Sequence, residues 1–247
     1  MRLTRSDGCS VCKWMPQCRR SVNLVVLRWS DLSTAMLFYT VRGPSFWGDY
    51  GRILAGGIMR RSENDSEPNQ LLRTGPFIPP ISFPFQHVVV TDGSRIELKQ
   101  SDLGNLTFLE IEKFRIRKLD WEQWDRKSAT PPKMPRGGEP ERYVYGGWHS
   151  RAAAKAMGQI WELGLPAGAM TAGVRIRRDG RRKPGERIWD VMVDVDTWRG
   201  EHFFRSINKG HIIASEAGAD WLSVHFGEWL TLTECVPWDP GKLNAEP

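Results

Sequence analysis

Cysteine is scarce and poorly placed for a scaffold: the 247-residue chain holds 4, and Cys9, Cys12 and Cys18 all fall within its first 35 residues. No evenly spaced disulfide framework of a small secreted domain can be drawn from them. Cys9-x-x-Cys12 has the chelating spacing of half a zinc site, but a structural site needs a second pair, and Cys18 with the remote Cys235 is a poor substitute. The expected state is unliganded thiols in a reducing cytoplasm, with no metal and no cofactor. Long apolar runs are missing too. The run Val22 to Leu27 is interrupted by Asn23 and closed by Arg28, too short for a membrane span and without the small-residue cleavage site of a signal peptide. No membrane partner is expected. Gly-x-Ser-x-Gly is absent, and Ala55-Gly56-Gly57 lacks the Lys-Ser/Thr that completes a phosphate loop, which excludes the common hydrolase and nucleotide-binding signatures. The histidines, His87, His149, His202, His211 and His225, include no pair at helical metal spacing and read as surface or packing residues.

A strong charge imbalance is also lacking once its location is considered. The net charge of +6 would favour a nucleic-acid partner. Residues 1–35 carry six basic side chains against Asp7 and Asp31, a net of +4, so +6 less +4 leaves only +2 for residues 36–247. Nucleic acid is therefore not the expected partner. Residues 1–35 show no sustained period and read as a basic extension outside the fold. Met36 opens a strand-like MLFYTV, so the expectation is that the native start is Met36. Apolar content of 40%, with 12 Trp and 10 Phe, can fill a core, and residues 36–247 are expected to form a single α+β domain with sub-units about 36–128 and 129–247.

The most informative feature present is a repeat. Val88 to Glu112 aligns without a gap with Ile212 to Val236, 124 residues later, although only four of 25 pairs are identical. Each copy has an apolar triplet, a hydroxyl-acid pair (Thr91-Asp92; Ser215-Glu216), a helical stretch, then Leu-Thr-x-x-Glu. That pattern predicts a buried strand, a capped helix with a carboxylate at its positive end, and a second strand. Ser150 to Leu163 reads as the best helix of the chain, N-capped by Ser150. Glu112 to Leu119 reads as an edge strand with one charged face. Short, mainly antiparallel strands with a few short helices define the expected α+β class.

Four constellations carry possible chemistry. Asp190, Asp194 and Asp196 could gather a divalent cation for a metal-dependent nuclease, although the solvated face of a strand gives the same alternation. The histidines are the second. The third is the basic turn Arg175 to Arg187, with seven Arg or Lys against Asp179 and Glu186, which reads either as a phosphate clamp or as a solvated hairpin tip. The fourth is the tryptophans. Most occupy apolar core positions, whereas Trp121, Trp124 and Trp148 sit beside charged or glycine-rich loops, where partly exposed aromatics anchor interfaces.

The passages GPFIPPISFPFQHVVVTDGSRIELKQSDLGNLTFLEIEKFRIRKLDW and DVDTWRGEHFFRSINKGHIIASEAGADWLSVHFGEWLTLTECV, roughly residues 75–125 and 190–236, resemble the two halves of bacterial polymorphic-toxin immunity proteins. The likeness is distant and one of pattern, closest to the double-CxxCG immunity family of myxobacteria. CxxCG itself is absent, since Cys9-Ser-Val-Cys12 is followed by Lys13, so zinc does not carry over. The resemblance implies a cytoplasmic, non-enzymatic protein that neutralises a cognate toxin by binding it. The expected contact residues are Trp121, Trp124, Arg142, Tyr143, Trp148 and His149, with the Arg181-Arg182-Lys183 turn as a second patch. The alternative is a metal-dependent nuclease or another nucleic-acid-processing enzyme.

Overall fold

A computed structural model of the chain describes residues 36–62, 67–175 and 189–239. The first half runs β1 (Phe38–Arg42), α1 (Asp49–Gly56), β2 (Ile58–Arg60), β3 (Gln70–Gly75), β4 (Ile81–Ser82), β5 (Val89–Thr91), α2 (Asp92–Lys99), β6 (Thr107–Glu110) and β7 (Glu112–Lys118). A linker with two short helices, α3 (Arg142–Tyr145) and α4 (Arg151–Ala156), leads to the second half. There follow β8 (Ile160–Gly164), β9 (Met170–Arg175), β10 (Trp189–Asp194), β11 (Phe203–Arg205), β12 (Ile212–Ser215), α5 (Glu216–Phe226), β13 (Thr231–Glu234) and β14 (Val236–Pro237). These strands build four small sheets in which the pairings are antiparallel except β3 with β7 and β10 with β14. With the short helices, this is an α+β fold.

The sheets form two matching pairs. The order β4-β5-β8-β6 repeats as β11-β12-β1-β13, and β2-β3-β7 repeats as β9-β10-β14. Even the register repeats. Trp161 of β8 lies opposite Val90 and Glu110, as Tyr39 of β1 lies opposite Ala214 and Glu234. Glu162 lies opposite Val89 and Leu109, as Thr40 lies opposite Ile213 and Thr233. Each flanking residue is displaced by 124 positions, the spacing of the sequence repeat. The central strands, however, are exchanged. β1 precedes the first copy yet completes the sheet of the second, and β8 follows the first copy yet completes its sheet. Each half therefore depends on a strand from the other, and the main apolar cluster joins Val41, Leu54, Val90 and Leu98 to Leu163, Phe203, Ala214 and Leu222.

Local sequence explains the repeated unit. Val88, Val89 and Val90 are fully buried, as β-branched residues of an enclosed strand should be. Thr91 Oγ1 then accepts the Ser94 N–H at 3.4 Å and Ser215 Oγ accepts the Gly218 N–H at 3.3 Å, so each hydroxyl caps the helix that follows. A cap of this kind contributes about 1 kcal/mol. Asp92 and Glu216 stand in the first turns, where the helix dipole favours a carboxylate.

The expected helix from Ser150 to Leu163 is corrected. Ser150 does cap a helix, accepting the Ala153 N–H at 3.2 Å, but α4 ends at Ala156 and Ile160 to Gly164 form a strand. Gly158, at φ +70°, turns the chain out of the helix, and the sheet needs a central strand between β5 and β6. Tertiary pairing overrides helical periodicity there. Val195 is exposed in a 3₁₀ turn after β10, while Met192, on the same face of the strand as Asp190 and Asp194, is fully buried. Cys235 lies in an apolar cluster with Phe38, Val191 and Phe204, as its apolar strand position implies. Among the described residues, no helix is long and apolar enough to cross a membrane.

Candidate partner-binding surface

The linker between the halves lies against β7, the outer strand of its sheet. Lys113, Arg115 and Arg117 alternate along β7 with Phe114, Ile116 and Lys118. Arg115 Nη1 donates to the Tyr145 carbonyl at 3.2 Å, and Arg117 Nη1 donates to the carbonyls of Arg142 at 2.6 Å and Tyr143 at 3.3 Å. The Arg142 carbonyl also accepts the Gly146 N–H at 3.1 Å, and carbonyls at the end of a helix favour cations, so these guanidinium groups fasten α3 to the strand. Tyr143 fixes it from within: its ring is buried beside Tyr50 at 6.3 Å and its hydroxyl donates to the Lys133 carbonyl. Burial, then the nearby Tyr50, push that phenol up to about 12.

After α3 the chain passes through Gly146 and Gly147 to Trp148, which is 92% exposed. Gly147 has φ +125°, and a side chain there would meet Arg117 Nε at 3.0 Å. The next two residues are pinned. His149 Nδ1 accepts the Ile116 N–H at 3.0 Å, and the Ser150 N–H donates to the Ile116 carbonyl at 2.7 Å. An indole thus stands in solvent on a segment tied to a sheet. Tyr145, 51% exposed, and exposed Arg142 complete the surface.

Four of the expected contact residues, Arg142, Tyr143, Trp148 and His149, gather here. Tyr143 needs correction, because it is buried and acts as a support. Trp121 also needs correction. It is fully buried, its indole N–H donates to Thr74 Oγ1 at 3.1 Å, and Phe46, Trp47, Phe77 and Trp229 surround it at centroid distances of 5.1–6.4 Å. Trp124 is half-buried against Trp47 at 5.9 Å. Nearby, Arg126 lies 4.5 Å over the Trp229 ring and 3.0 Å from Glu228. These aromatics bind the first half to the second. Arg181, Arg182 and Lys183 lie outside the described residues, as do Cys9, Cys12 and Cys18. Sequence reasoning missed Tyr145, Arg115 and Arg117 as site residues. The alternating arginines of β7 were the available signal.

The competing constellations fare differently. Among the described residues no group of three His, Cys, Asp or Glu side chains could hold a metal ion, and this includes Asp190, Asp194 and Asp196. The histidines serve local packing: His202 Nδ1 lies 2.7 Å from Ser215 Oγ, His211 Nδ1 lies 3.0 Å from Thr171 Oγ1, and His225 stacks on Trp221. Glu162 on β8 bonds His87 Nδ1 at 2.6 Å and Asn69 Nδ2 at 2.7 Å. Burial alone would raise its carboxyl, but the hydrogen bonds from His87 and Asn69, with the charges of His87 and Arg205, outweigh that and hold it below the usual carboxylate range. Arg73 is fully buried. Its Nη2 donates to Ala55 O at the end of α1 at 3.2 Å and its Nε to Thr74 O at 3.2 Å, its Nη1 has no partner among the described residues, and burial pulls its value down to about 9.

Comparison of the chain with family models, curated proteins and solved structures finds no match.

Proposed function

We propose that this protein is an immunity protein, which binds a cognate toxin of a bacterial polymorphic-toxin system in the cytoplasm and neutralises it by occlusion. The observation that carries the reading is Trp148, a 92% exposed indole on a segment pinned to β7 through His149 and Ser150. An apolar side chain of this size in solvent is costly unless a partner covers it, and its pinned backbone leaves little entropy to lose on binding. Tryptophan and arginine, here adjacent, are the residue types that dominate protein interfaces. The distant resemblance of residues 75–125 and 190–236 to immunity proteins supplies the class of partner. A standard interface of about 800 Å² per partner fits easily on a chain of this size. No observation favours the nuclease alternative.

The test is co-expression with a candidate toxin domain, taken from the C-terminus of any large reading frame that genome sequencing finds beside the gene. The proposal expects growth to be restored by the wild-type chain and lost again with Trp148→Ala. Death of the cells despite soluble wild-type protein contradicts it.

A further inference from the structure

We infer that the surface around Trp148 docks an acidic stretch of its protein partner, with the indole seated between apolar groups and Asp or Glu carboxylates received by Arg115, Arg117 and Arg142. The inference rests on the binding function proposed above and specifies the chemistry of what binds.

Three observations converge. First, the arginines are unpaired: the ion pairs found elsewhere join Arg52 to Asp49, His87 to Glu162, Arg95 to Asp92 and Arg126 to Glu228, and none involves Arg115, Arg117 or Arg142 among the described residues. Glu139 and Glu141, the acids nearest Arg142 in sequence, form no ion pair with them. Second, the guanidinium groups of Arg115 and Arg117 are already oriented. Each spends Nη1 on α3 carbonyls, while Nε and Nη2, the two donors that grip a carboxylate side by side, carry no hydrogen bond among the described residues. Third, Gly147 keeps one of those edges open, since a Cβ there would lie 3.0 Å from Arg117 Nε and 3.6 Å from Nη2. An arginine used only to cap α3 needs no such opening. A half-buried, anchored fork meets a carboxylate with little side-chain entropy left to lose. The adjacent Tyr145 and Trp148 rings supply the apolar contact that a free anion would not use, which favours a protein face over an inorganic ion or a nucleic-acid backbone.

The experiment titrates the candidate toxin domain of the co-expression test against the full chain at 50 and 500 mM NaCl. Expected are a dissociation constant raised roughly 30-fold by Trp148→Ala, roughly 10-fold by Arg117→Lys, which keeps the charge but loses the paired donors, and an association rate that drops with salt and with Arg142→Glu. Arg199→Glu, a charge change in the second half of the chain, should leave binding unaltered. Salt-insensitive binding that Arg117→Lys and Arg142→Glu leave untouched overturns the inference while leaving the immunity function standing. If the toxin domain does not bind at all, the immunity function falls. The acidic-docking inference is then decided by a fluorescein-labelled (Glu-Glu-Leu)₄ peptide. Wild-type binding weakened by Trp148→Ala and Arg117→Lys supports it. No peptide binding, equal binding of a single-stranded oligonucleotide through the same residues, or self-association abolished by Trp148→Ala overturns it.

Discussion

Trp121 and Trp148 have the same side chain and opposite surroundings, and substitutions should separate them. Trp121→Ala empties the centre of the aromatic cluster and strands Thr74 Oγ1, a loss of ~4 kcal/mol. Trp148→Ala removes a ring that touches little and should change stability by no more than ~0.5 kcal/mol. Urea unfolding of the two variants checks both values, and comparable losses would refute the burial contrast. Arg73 is a second residue-scale case. A buried cation with one unpartnered nitrogen and no carboxylate adds little net stability, because desolvation offsets its hydrogen bonds. Arg73→Met, which keeps the volume, should stay within ~1 kcal/mol of the wild type, whereas Arg73→Ala should cost ~3 kcal/mol through the cavity it leaves. A large loss in Arg73→Met would show instead that the bonds to Ala55 and Thr74 dominate. Neither tryptophan's surroundings could be read from sequence, since both lie in polar or glycine-rich stretches. Burial there is decided by what packs from elsewhere, here Phe46, Phe77 and Trp229.

Elements were legible where their determinants are local. The hydroxyl-acid pairs at Thr91-Asp92 and Ser215-Glu216 mark two helix starts, and the residues between Leu106 and Glu110 and between Leu230 and Glu234 form strands as the pattern predicts. β8 was not legible. Ile160 to Leu163 continues the apolar spacing of α4, and only its pairing with β5 and β6 makes it a strand. That pairing is reinforced by Glu162, whose position between Val89 and Leu109 brings it to His87 and Asn69. Since the folded Glu162 carboxyl lies below its ordinary value of 4.5, its contribution is fully present above that value and is lost as pH falls through the lower folded one. Glu162→Gln should therefore lower stability by ~1 kcal/mol at pH 7, and the difference from wild type should shrink as pH falls below 4.5. Thermal melts of both proteins from pH 7 to pH 3 read this directly. A gap that persists undiminished in acid would mean that the carboxylate charge is not what matters.

At the scale of the whole molecule, the repeat is more than an outline, because strand order and register recur with it and the central strands change places. From sequence, the copies at Val88 and Ile212 could be aligned, but nothing local indicates which strand enters which sheet. The exchange predicts that fragments 36–128 and 129–247 are each unfolded alone and associate one-to-one when mixed, which circular dichroism and size-exclusion chromatography would report. Independent cooperative folding of either fragment would contradict it. The unduplicated linker is what the exchange leaves over: α3, the Gly146-Gly147 turn and Trp148 belong to neither copy, lie on the surface and are tied to β7. The proposed immunity function assigns partner binding to this linker. Calorimetric titration of the candidate toxin domain into wild-type chain and Trp148→Ala decides it. Nanomolar binding to the wild type is expected, weakened by ~2 kcal/mol in the variant, with its melting temperature unchanged. Equal affinity of the two proteins would contradict it.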